Sequence, residues 1–85
     1  MHQVAFSRRA KKALDALPRG VGDRIAIAIA ALGSEPRRSA EKLTGVDGLY
    51  RIRIGDYRVI YEINDAGRLV VVVKIAKRAE AYRGL

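Results

Sequence analysis

The stretch that decides the fold is YRIRIGDYRVIYEI at residues 50–63. Apolar and polar side chains alternate on both sides of Gly55-Asp56, which is the period-two pattern of two half-buried strands. A two-residue loop with glycine first is typical of a type II′ hairpin turn, which fixes the strand register. The sequence therefore predicts a β-hairpin with strands at 50–54 and 57–63, in which residue 54 faces 57, 53 faces 58 and 52 faces 59.

This hairpin has one basic face and one apolar face. The predicted register sets Arg53 directly opposite Arg58, with Arg51 on the same face. Like charges opposite each other on a sheet cost stability, and a fold tolerates that cost where guanidinium groups are needed to bind phosphate. The alternatives are that these arginines extend into solvent or pair with Glu62. The apolar face, which we expect helices to cover, carries Tyr50, Ile52, Ile54, Tyr57, Val59, Tyr61 and Ile63.

The N-terminal half predicts a short strand and a helical hairpin. Residues 3–6 suit the strand, and Ser7 is a good N-cap for a helix that runs from Arg8 to about Leu17. Residues 21–32 have apolar side chains at helical spacing, and their alanines favour a helix over the competing strand pattern of alternating isoleucines. Residues 34–48 are polar and predict a connection, whose basic residues we interpret as a solvated loop.

A third strand of the meander is predicted from Leu69 to Ile75, after a turn at Asn64–Gly67. Its nearly continuous valines indicate burial on both faces and hence a central or well-covered position. Antiparallel pairing with 57–63 predicts that residue 73 lies beside Arg58, so that the chain beyond the strand returns to the basic face. The basic and aromatic residues available there are Lys74, Lys77, Arg78, Tyr82 and Arg83.

Composition limits the possible functions. The 85 residues make one small domain, 1–85, without cysteine, and their formal net charge of +8 favours nucleic acid as the partner, although an acidic protein or an anionic surface also fits. No apolar stretch approaches the roughly 20 residues that cross a bilayer, so we expect a cytoplasmic protein. No metal site or cofactor is expected: His2 is a lone terminal histidine, and Asp56, Glu62 and Glu80 form no carboxylate cluster.

The motifs Tyr50-Arg51-Ile52-Arg53, Asp56 to Ile63, the valine strand, and Lys77-Arg78 with Ala81-Tyr82-Arg83 resemble the RelE/ParE superfamily of type II toxin–antitoxin toxins, in particular its RelE-type members. The resemblance covers essentially the whole chain. It implies an α+β fold of the order βααβββ, in which a helical hairpin packs on an antiparallel sheet with a C-terminal three-stranded meander. A short C-terminal helix is an optional part of that expectation.

RelE-type members cut messenger RNA in the ribosomal A site, so the resemblance implies an endoribonuclease that inhibits translation. By this resemblance Arg58 stabilises the scissile phosphate and Arg78 acts on the leaving group. Tyr82 stacks on or orients a nucleobase of the RNA. Arg51 and Arg53 take positions that are often lysine, and an arginine side chain stays protonated at neutral pH, which favours charge stabilisation by Arg53 over general-base catalysis. Metal-free attack by the ribose 2′-hydroxyl is the implied reaction. RNA-binding residues are expected to be Arg51, Lys74, Lys77 and Arg83.

The same resemblance implies three partners, namely the ribosome, messenger RNA and a cognate antitoxin. An acidic or amphipathic segment of the antitoxin would wrap this basic domain. Two alternatives remain. ParE-like members share the fold and act against DNA gyrase without cutting RNA. A non-catalytic nucleic-acid-binding module would contact only the nucleic-acid backbone through the basic face.

Overall fold

The computed structural model of the chain describes residues 1–85, which form two helices and five strands. The elements are β1 Gln3–Phe6, α1 Arg8–Asp15, α2 Arg19–Ala31, β2 Glu41–Lys42, β3 Leu49–Ile54, β4 Tyr57–Asn64 and β5 Leu69–Lys77. They build one mixed sheet in the order β1-β5-β4-β3-β2, where β1 runs parallel to β5 and the other neighbours are antiparallel. The predicted α+β class and the C-terminal meander are confirmed, but the sheet is mixed and not antiparallel as predicted, because β1 pairs in parallel with β5. Neither helix is long and apolar enough to cross a membrane.

Both helices pack on one face of the sheet. In α2, Ile25 and Ile29 are buried, whereas Ile27 is 72% exposed, so the segment follows the helical pattern and not the strand pattern. The helix α1 ends at Asp15, two residues before the predicted end, because the backbone tightens ahead of Pro18. The core between helices and sheet comprises Ala10, Ile25, Ile29, Leu32, Ile52, Val59, Tyr61, Val70, Val72 and Ile75.

The β3–β4 hairpin has the predicted register. Residue 54 lies opposite 57, Arg53 opposite Arg58 and 52 opposite 59. Gly55 has a φ of 58°, which is the left-handed conformation that a type II′ turn requires at its first central position. The apolar side chains of the hairpin therefore face the helices, and its arginines lie on the opposite face.

The register between β4 and β5 differs from the prediction. Arg58 lies opposite Ala76, not residue 73. Pairing starts at Asn64 with Leu69, and a bulge between Ile60 and Tyr61 leaves one β5 residue, Val73, without a partner. The four-residue turn and the bulge together place each β5 residue about three positions farther from the hairpin turn than predicted, so Ala76 takes the place expected for residue 73.

Ser7 joins this bulge to the start of α1. Its hydroxyl accepts a hydrogen bond from the backbone N–H of Ala10 at 3.1 Å, as the predicted N-cap should, and donates to the carbonyl of Val73 at 3.3 Å. The backbone N–H of Ser7 also donates to Val72 at 2.8 Å. The N-cap therefore also stabilises the irregular part of β5.

Three further expectations need correction. The segment 34–48 is not only a connection, because Glu41–Lys42 forms a strand beside β3. The C-terminal residues form consecutive turns and no regular helix. The strand β5 is central as expected, with β4 on one side and β1 on the other, but its second face is less covered than expected, since Val71 and Val73 are only half-buried.

The connection after α2 is attached to the sheet near the turn between β4 and β5. The Tyr61 hydroxyl donates to the carbonyl of Pro36 at 2.7 Å. Arg37 donates two hydrogen bonds to Asp65, at 3.0 and 2.9 Å, and His2 Nε2 lies 3.2 Å from the same carboxylate. These contacts hold the segment that leads to β2.

Candidate functional site

The face of the sheet opposite the helices contains a cleft of about 330 Å³, which we call the guanidinium cleft. Its lining residues are Arg51, Arg53, Arg58, Arg78 and Tyr82. The fold thus brings together the four residues that sequence analysis assigned to catalysis, with one residue that it assigned to RNA binding. Four guanidinium groups in one cleft are suited to phosphate groups, which they can bind in bidentate geometry.

Arg58 lies at the hairpin end of the cleft and is only 8% exposed. Its Nη1 donates to the carbonyls of Gly55 at 3.1 Å and Tyr57 at 2.9 Å, so the turn itself holds the side chain. No carboxylate forms an ion pair with Arg58. Its positive charge is therefore available to an anion, and its orientation is set before any ligand binds.

Arg51 and Arg53 share one carboxylate, that of Glu41. Glu41 Oε2 lies 3.0 Å from Arg51 Nη2, and Oε1 lies 3.4 Å from Arg53 Nε. The hydrogen bond from Arg51 lowers the pKa of Glu41, and the charges of Arg53 and Arg58 lower it further, so Glu41 is ionised at neutral pH. The alternative that these arginines pair with Glu62 is wrong.

The C-terminal segment supplies the other side of the cleft. The backbone N–H of Arg78 donates to the carbonyl of Asp56 at 2.8 Å, which ties the end of β5 to the hairpin turn. Ala81 is fully buried and anchors the segment, whereas Tyr82 is 39% exposed. The Tyr82 hydroxyl accepts a hydrogen bond from Arg51, whose guanidinium carbon lies 5.5 Å from the centre of the Tyr82 ring. Tyr82 therefore belongs to the cleft and not to the core.

The remaining predicted RNA contacts lie outside the cleft. Lys74 donates to the carbonyl of Arg83, and both residues line a neighbouring groove together with Arg9 from α1. Lys77 is exposed at the end of β5, opposite Tyr57. Their role in RNA binding stays a prediction.

Glu41 is the cleft contact that sequence analysis missed. It lies in a polar segment that predicted no regular structure, and no local pattern relates it to arginines ten and twelve residues later. Only the two-residue strand β2 brings it opposite Arg51. No group of three histidine, aspartate or glutamate side chains lies close enough together to hold a metal ion.

Fold and cleft together define a small basic α+β protein with an arginine-lined site. The sequence model of the family described as ParE toxin of type II toxin-antitoxin system, parDE, matches residues 4–82. The toxin RelE of Mycobacterium tuberculosis is 32% identical over 96% of this chain and 87% of that protein. The toxin RelG of the same organism is 32% identical over 96% of this chain and 97% of its own length.

Solved structures give the same result. The toxin of the RelBE2 toxin-antitoxin complex of M. tuberculosis superposes with a TM-score of 0.82, at 28% identity, over 91% of this chain and 98% of that chain. The archaeal RelE-RelB complex of Pyrococcus horikoshii matches with a TM-score of 0.80, at 32% identity, over 94% and 98%. The chain therefore belongs to the RelE/ParE superfamily, and it is a toxin of a RelBE-type toxin–antitoxin system.

Proposed function

We propose that this toxin is a ribosome-dependent endoribonuclease that cleaves messenger RNA in the A site and thereby inhibits translation and arrests growth. The observation that carries the proposal is the convergence of Arg58, Arg78 and Tyr82 in one cleft with Arg51 and Arg53. The similarity to RelE toxins along nearly the whole chain supports it. Such a function requires a cytoplasmic location in a bacterium or archaeon.

The proposed reaction needs no metal. The 2′-oxygen of the ribose forms a bond to the adjacent phosphorus, and the bond from phosphorus to the 5′-oxygen breaks, which leaves a 2′,3′-cyclic phosphate and a 5′-hydroxyl. The proton of the 2′-hydroxyl goes to solvent, and the 5′-oxygen takes a proton from solvent. The protein supplies positioning and charge stabilisation, which are the main terms in phosphoryl transfer.

Four of the five cleft residues have a direct role in this scheme. Arg58 neutralises charge on the pentavalent phosphorus, because the turn holds it in place and no carboxylate competes for it. Arg78 stabilises the negative charge that develops on the 5′-oxygen. Tyr82 stacks on a base, for which its exposed fraction of 39% leaves room. Arg53 stabilises charge, since an arginine at neutral pH is too rarely deprotonated to accept a proton.

The proposed partner in the resting cell is a cognate antitoxin. Relatives of this chain were solved with the antitoxin RelB, among them the RelE toxins of Escherichia coli and P. horikoshii. We expect an acidic or amphipathic segment to cover the guanidinium cleft here, because the net charge of +8 attracts such a segment and speeds its capture.

Primer extension on a defined message in a purified translation system tests the proposal. We expect the wild-type protein to cut within codons only when ribosomes are present, and Arg78→Ala to lose most cuts while staying folded. RNA binding without any cuts would instead support a non-catalytic module.

A second candidate is inhibition of DNA gyrase, because the matching family model is that of ParE toxins. It predicts an intact message and a loss of supercoiling by purified gyrase. The cleft of four arginines and one tyrosine favours the nuclease over this candidate, since inhibition of gyrase requires no such phosphate site.

A further inference from the structure

Glu41 is the only acidic residue that forms an ion pair with a residue of the guanidinium cleft. Its two carboxylate oxygens lie 3.0 Å from Arg51 Nη2 and 3.4 Å from Arg53 Nε. Asp56 and Glu62, the acidic residues of the hairpin, form no ion pair. The cleft thus has a single counter-charge, which a separate segment supplies.

The strand β2 places this carboxylate. It has two residues, with Glu41 opposite Arg51 and Lys42 opposite Tyr50. The backbone N–H of Leu43 then donates to the carbonyl of Leu49 at 3.0 Å, which closes the pairing with β3. Both strand residues are exposed, so β2 contributes little buried surface. Its main structural consequence is the position of Glu41.

Glu41 also acts on Tyr82 through Arg51. Arg51 Nη2 donates to Glu41, while its Nη1 donates to the Tyr82 hydroxyl and its guanidinium carbon lies 5.5 Å from the centre of the Tyr82 ring. The donors of a guanidinium group form a rigid planar fork, so fixing one end sets the direction of the other. The orientation of Tyr82 therefore depends on the contact between Glu41 and Arg51.

The ion pair has more effect on orientation than on folding stability. The side chain of Glu41 is 52% exposed, and those of Arg51 and Arg53 are 21% and 56% exposed. Because the carboxylate reaches solvent in both pairs, the ion pairs contribute little to the free energy of unfolding. Catalytic rate is more sensitive, because a small misplacement of a positioning group can lower it by up to about a hundredfold.

We infer that Glu41 is a positioning residue, whose carboxylate holds Arg51, and through it Tyr82, in the orientation that cleavage needs. The inference rests on the proposed function. Its signature separates kcat from KM: Glu41→Gln removes the charged acceptor that orders Arg51, which lowers kcat. The same change removes a negative charge that repels RNA phosphates, so KM stays the same or falls.

The first test compares Glu41→Gln with the matched control Glu62→Gln in a cleavage assay on programmed ribosomes. Both variants lose one negative charge on the same face of the sheet, but Glu62 does not contact the cleft arginines. We expect kcat to fall about tenfold or more for Glu41→Gln without a rise in KM, and both variants to keep the wild-type unfolding midpoint. An unchanged kcat, or a kcat loss matched by a lower unfolding midpoint, would overturn the inference.

A second test separates positioning from direct proton transfer. Introducing Glu41→Gln into an Arg51→Ala background should cause no further loss, because the residue through which Glu41 acts is already absent. A loss of equal size in both backgrounds would overturn the inference and indicate that Glu41 contacts the RNA as a base.

A third measurement needs no ribosome. In NMR spectra of the free toxin, the Arg51 Nε–Hε signal should be distinct in the wild type and in Glu62→Gln, and should move toward the averaged position of exposed arginines in Glu41→Gln. An unmoved signal would refute the positioning role. If the Arg51 signal moves in Glu41→Gln but even the wild-type toxin leaves the message intact in every assay, the proposed nuclease function is refuted.

Discussion

Arg58→Ala should abolish most cleavage while leaving the protein folded. Arg58 is the most buried arginine of the cleft, and its Nη1 is fixed by the carbonyls of Gly55 and Tyr57. Removing one preorganised donor that stabilises a charged transition state typically costs about 2.7 to 4 kcal/mol, which corresponds to about a 10²- to 10³-fold loss in kcat. We expect a loss of this size in kcat on ribosomes.

The effect of Arg58→Ala on stability should be small, because two effects oppose each other. The variant loses two hydrogen bonds, each with a net contribution of about 1 kcal/mol. It also removes a poorly solvated positive charge directly opposite Arg53, which favours the folded state. We expect the free energy of unfolding to fall by less than about 2 kcal/mol.

Single-turnover cleavage on programmed ribosomes, with urea unfolding followed by circular dichroism, measures both quantities. Arg19→Ala is the matched control, because it removes the same charge from an exposed position at the start of α2, outside the cleft. The reasoning would be wrong if folded Arg58→Ala cleaved about as fast as the wild type, or if Arg19→Ala lost as much activity.

Three further predictions concern hydrogen bonds outside the cleft that stabilise the fold. Tyr61→Phe loses the hydrogen bond to Pro36, and urea unfolding should show a free energy of unfolding lower by about 1 to 2 kcal/mol. Burial raises the pKa of Tyr61 to about 12, so the stability of the wild type should fall as pH rises from about 10 to 12. The Tyr61→Phe variant should lack this fall. The hydrogen bond from Arg37 lowers the pKa of Asp65, so the ionised carboxylate stabilises the fold at neutral pH and this contribution disappears as pH falls through the lowered pKa. Urea titrations should therefore show that Asp65→Asn loses less stability on acidification than the wild type. Ser7→Ala removes the N-cap and the contact to the bulge, and calorimetry should show a loss of about 0.5 to 2 kcal/mol, whereas an unchanged melting temperature would contradict the role of the cap.

The hairpin could be predicted from sequence in detail. Its register depends on the short turn at Gly55-Asp56 and on the alternation of side chains beside it, and both are local properties of the chain. The α2 helix was equally accessible, because Ile25 and Ile29 repeat with the helical period. The basic face of the sheet followed directly from the hairpin register.

The register of β5 could not be predicted in the same way. A run of four valines offers no alternation by which one pairing is preferred to another. The choice depends on the bulge at Val73, whose carbonyl accepts a hydrogen bond from Ser7 near the other end of the chain. That shift sets how far Arg78 and Tyr82 reach toward the hairpin turn.

The sequence by itself determined the class of fold, the basic and apolar faces of the hairpin, and the residue types of the cleft, because period-two and helical patterns and a two-residue turn act over a few neighbouring residues. Only the tertiary structure decided which basic residues share a cleft and which lie outside it, since that depends on pairing between distant segments. It also decided that Glu41 is the partner of Arg51 and Arg53. An ion pair across a two-residue strand depends on the three-dimensional position of its groups, which no local pattern in the chain records.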